Sequence, residues 1–152
     1  MDNFDDITND IRFTRRASPV PLGSRMSYRI AQICLILSLS CKSRESCSMK
    51  KLQTLSNALF QTSEFNKIIQ FTKEQTLVQE FTPRMDPCVN SAIVFAVKYG
   101  LCKPVKNNSS YKLTALGRKY VNSIMNEEVL EREKAMLKKL GTNLTEELIN
   151  RI

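Results

Sequence analysis

A chain of 152 residues is one domain's worth, and 42% hydrophobic residues are enough for a real core, which excludes global disorder. The sequence has no histidine, which removes the commonest general base and the usual activator of a Ser or Cys nucleophile. The net charge of +8 is concentrated: residues 11–126 hold 18 Lys/Arg against five Asp/Glu, residues 1–10 hold four acids, and residues 127–152 are close to neutral. So one-sided a centre implies an anionic partner, most simply nucleic acid; a basic surface kept for solubility is the competing explanation.

Residues 1–26 carry no helical period and collect Pro19, Pro21 and Gly23, so an extended arm is expected there. Its acidic start is the wrong sign for a signal peptide, and a cytoplasmic location is expected. The longest near-continuous apolar run, Ile30 to Leu39, is about half of what spanning a bilayer requires, so it is expected to be a buried helix rather than a membrane segment. That helix should span 27–40, capped by Ser27. It is apolar nearly all round, which marks the core helix.

Cys41 to Cys47 reads as a polar turn. Ser48 then caps a helix over 48–61 whose stripe is Met49, Leu52, Leu55, Ala58 and Leu59, with Lys50, Lys51 and Gln53 facing away. A third helix is expected over 63–73 with Phe65, Ile68, Ile69 and Thr72 inward. Thr76 to Phe81 alternates weakly, as a short strand or an extended connector would.

Asp86-Pro87 is a sharper signal, because Asp caps a helix and Pro at the first helical position loses no hydrogen bond. The helix 86–99 should run through Val89, Ala92, Ile93, Phe95, Ala96 and Tyr99 and stop at Gly100, a left-handed terminator. Two β segments around the Lys106–Ser110 turn form a hairpin over 101–113. Thr114 caps a helix to 125 with Leu116, Tyr120, Val121 and Ile124 on its face. Gly117 stands where a Cβ would collide with the preceding strand. A charged helix over 127–140 follows, then a short turn from Thr145.

The order of these elements is that of a mainly α fold with a small β-hairpin wing, a winged helix-turn-helix over 27–126 with a C-terminal helical extension over 127–152. From Lys98 to Lys119 the chain has six cations and no acid: Lys98, Lys103, Lys106, Lys112, Arg118 and Lys119. These are the candidate nucleic-acid contacts, since lysines on a hairpin bind phosphate without reading sequence; a merely solvated wing is the alternative. The helix before the wing offers only Asn90, Ser91 and Lys98 as polar groups for base edges, so it is expected to be buried or docked on a partner. The stripe Val129, Leu130, Met136, Leu137 and Leu140 is the candidate protein interface.

No catalytic set emerges. The five cysteines, Cys34, Cys41, Cys47, Cys88 and Cys102, contain no Cys-x-x-Cys pair. An odd number argues for reduced, packed thiols, and zinc ligation is not expected. The four glycines are isolated and form no phosphate-cradling loop. The expectation is no enzyme, no metal, no cofactor and no small-molecule substrate.

Several of these motifs carry a resemblance. They are Arg29-Ile30-Ala31-Gln32-Ile33, the Lys51 to Leu59 helix, Asp86-Pro87-x-Val89-Asn90, Phe95 to Leu101, and Leu113-Thr114-x-x-Gly117. Over about residues 28–125 the chain resembles the middle components of bacterial three-component ABC (ABC-3C) systems, including the small winged-helix subunit of Lamassu-type SMC-like defence complexes. The resemblance implies a bridging subunit between an SMC-like ABC ATPase and an effector nuclease in antiphage or antiplasmid defence, with DNA contact that is not sequence-specific. The arm and the C-terminal helix fall outside it. A free-standing winged-helix transcriptional regulator is the alternative function.

Overall fold

The computed structural model describes residues 21–42, 46–75 and 84–152. Residues 1–20 of the arm expected over 1–26 and the segment Thr76 to Phe81 lie outside the described residues. Residues 21–26 are not an extended arm but hold a 3-10 turn and the first residue of a helix. After a 3-10 turn at Leu22–Ser24 come α1 (Met26–Leu39), β1 (Cys47–Ser48), α2 (Met49–Ala58), α3 (Thr62–Glu74) and α4 (Pro87–Lys98). Then follow β2 (Cys102–Val105), β3 (Ser110–Leu113), α5 (Ala115–Asn126), α6 (Glu131–Leu140) and α7 (Glu146–Asn150). The fold is mainly helical with one small antiparallel sheet in the order β1-β3-β2.

The core is built around α1. Every residue from Tyr28 to Leu37 is buried, because α1 is packed by α2, α4, α5, α6 and β3 together. Its expected cap is corrected: the helix opens one residue earlier, after Arg25, and Ser27 caps nothing. Further along, local chemistry sets the boundaries as read. Ser48 accepts from Lys51 N, Asp86 from Cys88 N, Thr114 from Gly117 N and Thr145 from Leu148 N. α4 ends as a Schellman motif: Gly100, at φ +74°, donates to Val97 O, and Leu101 donates to Ala96 O at 2.9 Å.

Four expectations are corrected by packing. Cys47 and Ser48 belong to a strand rather than to a turn, since they pair with Tyr111 and Ser110 of β3. Lys51 and Gln53 do not face solvent; Lys51 Nζ donates to Ser40 O at 2.8 Å, and Gln53 bonds the backbone of Asp86 and the Asn90 carboxamide. The helix over 127–140 begins only at Glu131, because Leu130 adopts φ +53° and breaks it from α5. The C-terminal part is no separate extension: Leu137, Leu140, Leu144 and Ile149 are buried in the same core as α1, and Glu146 accepts from Ser48 N at 2.9 Å.

A polar network runs through this core. Arg29 is buried yet satisfied: it ion-pairs with Asp86, donates to Gly23 O at 2.8 Å and Gln32 Oε1 at 3.2 Å, and lies 4.4 Å over the Phe60 ring. One carboxylate thus caps α4 and anchors α1, which fixes the angle at which α4 meets the core. Glu133, an acid of the charged helix α6, is buried and accepts from the Tyr28 hydroxyl at 2.9 Å. Burial and that carboxylate push the Tyr28 phenol well above its ordinary range.

Candidate functional site

Two surfaces stand out, and the same short stretch of chain positions both. Gly100 ends α4 and Thr114 opens α5, and the two turns are tied together. Thr114 donates its backbone N–H to Leu101 O at 3.1 Å and its hydroxyl to Gly100 O. Gly117 completes the joint. A Cβ there would fall far inside van der Waals distance of the Leu101 carbonyl oxygen and 2.9 Å from Leu113 Cδ2. Only glycine lets α5 lie this close, as the sequence pattern required.

The first surface is cationic. In the β2–β3 register Lys103 stands directly opposite Lys112. Like charges so placed repel, which costs a hairpin some stability. Arg118 reaches back toward the same end of β3, its guanidinium donating to Leu113 O at 3.3 Å. Lys42, from the turn after α1, closes the other side. Together Lys42, Lys103, Lys112 and Arg118 line a cleft of about 700 Å³ with Ser38 and Thr114 and no carboxylate. None of the four lysine and arginine side chains is in an ion pair among the described residues.

The six cations expected to contact nucleic acid therefore divide. Lys103, Lys112 and Arg118 converge on the cleft, whereas exposed Lys98, Lys106 and Lys119 do not line it. Lys106 begins three consecutive left-handed residues, Lys106, Asn107 and Asn108, at the tip of the hairpin. Lys42 was missed. It lies 61 residues before Lys103, and no local pattern signals that α1 ends beside β2 and β3.

The second surface is apolar. α4 buries Val89, Ala92, Ile93 and Ala96 and turns its other side outward. There Val94 and Tyr99 are 65% and 63% exposed, and Leu116 of α5 is 53% exposed. Phe95, also exposed, stacks with Tyr99 at 6.2 Å between centroids. This corrects the placement of Leu116, expected on one face with Tyr120, Val121 and Ile124, of which Val121 and Ile124 are buried. The helix has one inner stripe at 89, 92/93 and 96, and Phe95 and Tyr99 pair i,i+4 beside it. Lys98, Arg118 and Lys119 are the exposed charges of the two helices that carry this patch.

Comparison with protein-family models, characterised proteins and solved structures returns no match.

The expected interface stripe is likewise reassigned. Leu137 and Leu140 are wholly buried in the chain's own core, with Leu130 and Met136 packed against it. Only Val129 is exposed, and it precedes α6 rather than lying on it. The amphipathic spacing was real, but its partner is internal, chiefly α1.

The cysteines complete the chemistry. None of the five is in a disulfide, and four are buried. Burial pushes the Cys34 thiol up to about 12 and Cys102 to about 11, and burial with the adjacent Cys41 raises Cys47. Thiols so protonated are poor nucleophiles and poor metal ligands at neutral pH. Among the described residues no group of three or more Cys, Asp or Glu is arranged to hold a metal ion. No helix among them is long and apolar enough to cross a membrane.

Proposed function

We propose that this chain is a non-catalytic winged-helix adaptor, which docks a protein partner on α4 and holds nucleic-acid backbone with its basic hairpin. The order α1-β1-α2, then α4-β2-β3, with a three-stranded sheet, supports the winged-helix reading; α3 is an added helix between the second and third members. In a sequence-reading winged helix the helix before the wing carries polar side chains to base edges. Here the outer side of α4 carries Val94, Phe95 and Tyr99, and the Asn90 carboxamide is held by Gln53 at 2.6 Å. That single observation carries the proposal: an exposed apolar patch of this kind fits a protein interface, not a DNA groove. It favours the adaptor over a free-standing, sequence-reading regulator.

The resemblance of residues 28–125 gives the partners their class, an SMC-like ABC ATPase and an effector nuclease of a defence complex. The test is tagged purification from the native operon, wild type against Val94→Asp combined with Tyr99→Asp. Both positions are exposed, so the thermal melt should be unchanged while the ATPase is lost from the eluate. A stand-alone protein that binds promoter DNA with sequence preference would overturn the adaptor.

A further inference from the structure

The hairpin's phosphate contact has a definite seat. We infer that the cleft between the end of α1, the β2–β3 hairpin and the start of α5 binds the phosphodiester backbone of a nucleic acid, with Lys42 as a member of the site. The inference rests on the nucleic-acid part of the adaptor reading and narrows it. Contact is placed in the cleft rather than at the hairpin tip or on α4.

Three observations converge. The cleft brings four cations from three separated segments to one volume with no acid among its described lining residues; Lys42 also borders a neighbouring cleft that holds Glu146 and Glu147. That volume, about 700 Å³, lies within the range of ligand-binding pockets, roughly 300–1,000 Å³. The pairing of Lys103 with Lys112 is the second. A cross-strand position opposite a lysine is ordinarily relieved by an acid or a neutral residue, and here the repulsion is retained where an anion would relieve it. The third is the mixture of donors. Arg118 presents a planar fork suited to phosphate oxygens, the three lysines are mobile point charges, and the Ser38 hydroxyl is a neutral donor. A backbone of repeating singly charged phosphodiesters satisfies such a set without base contacts. α4 contributes no lining residue, so nucleic acid in the cleft and a protein on α4 can be held together.

The experiment compares two charge-matched triple variants of the full chain by fluorescence anisotropy, with labelled duplex and single-stranded DNA across a salt series. The cleft variant carries Lys42→Ala, Lys103→Ala and Lys112→Ala; the control carries Lys98→Ala, Lys106→Ala and Lys119→Ala. Each removes three positive charges, so a diffuse basic field predicts equal losses. The cleft predicts that only the first variant weakens binding, by about tenfold or more. Its log–log salt slope should fall by about 2.7 on duplex or about 2.1 on single strands. Melting curves confirm folding, and the cleft variant should melt no lower than wild type because the Lys103–Lys112 repulsion is gone. Equal losses in both variants, with wild type binding normally, would overturn the cleft alone. Wild type that binds neither DNA, alone or in its assembled complex, would overturn the nucleic-acid reading and the cleft with it.

Discussion

Replacing Gly117 by alanine probes the joint on which both surfaces depend. In an exposed helix this change stabilises by about 1 kcal/mol, because alanine is the better helix former. Here the new methyl would lie 2.9 Å from the Leu101 carbonyl carbon and 2.9 Å from Leu113 Cδ2, with the carbonyl oxygen nearer still. Two of these three atoms are backbone, and that oxygen already accepts from Thr114 N at 3.1 Å, so no side-chain rotation relieves the clash. Overpacking of this kind costs about 1–3 kcal/mol. Pushing the first turn of α5 away from Leu101 also strains the Thr114 cap, worth a further 0.5–2 kcal/mol or so. After the propensity gain, the net loss is about 0.5–4 kcal/mol, against the roughly 5–15 kcal/mol that holds a domain together. Thermal melting should show a fall of roughly 2–4 °C for each kcal/mol lost. DNA affinity should fall with it, because Thr114 and Arg118 line the cleft. A variant as stable as wild type, or more so, would refute the close approach of α5 to Leu101.

Leu137→Ala should destabilise the chain by about 2–5 kcal/mol by calorimetry, since the side chain is fully buried; a loss below 0.5 kcal/mol or so would place α6 outside the core. With a thiol reagent at neutral pH only Cys88 should react quickly, the other four cysteines being buried; rapid labelling of Cys34 or Cys102 in the native protein contradicts the packing. Because the folded state holds the Cys34 and Cys102 protons more tightly than the unfolded chain, this stability is intact below about pH 9. It is lost as pH rises from 9.0 toward about 12, at roughly 1.4 kcal/mol per pH unit for each thiol, and Cys34→Ala should flatten the alkaline slope seen by denaturant titration.

Whatever depended on local chemistry was legible in the sequence. Asp86-Pro87, Ser48, Thr114 and Thr145 fix helix starts through one side-chain oxygen each, and Gly100 and Gly117 act within a few residues of their own position. What failed was the direction of faces. Periodicity shows that Met136, Leu137 and Leu140 share a stripe but not whether the surface opposite belongs to the same chain, and here α1 supplies it. On α4 the residues mark Phe95 and Tyr99 as apolar but not which side the core takes, and that side is filled by Val89, Ala92, Ile93 and Ala96. Lys51, Gln53 and Glu133 look like solvent-facing residues, yet each is buried with a hydrogen-bond partner that only the tertiary fold brings within reach. β1 is two residues long and exists only because β3 lies alongside it.

The same distinction bears on the site. Three of the four cleft cations were found because they lie within 16 residues of chain, Lys103 to Arg118, while the fourth depends on where α1 stops. Just past its end, the carbonyl of Ser40 accepts from Lys51 of the next helix. That bond commits one lysine to the structure, while Lys42, two residues further, lines the cleft. The Arg29–Asp86 pair does the equivalent work for α4: it anchors the helix's first residue while Gly117 fixes the joint beyond its last. A helix pinned at both ends, with its inner stripe filled by small residues, can present Val94, Phe95 and Tyr99 without collapsing onto them. The buried ion pair and the exposed apolar patch therefore belong to one arrangement, and the basic cleft begins at Thr114, where α5 leaves the joint that it shares with α4.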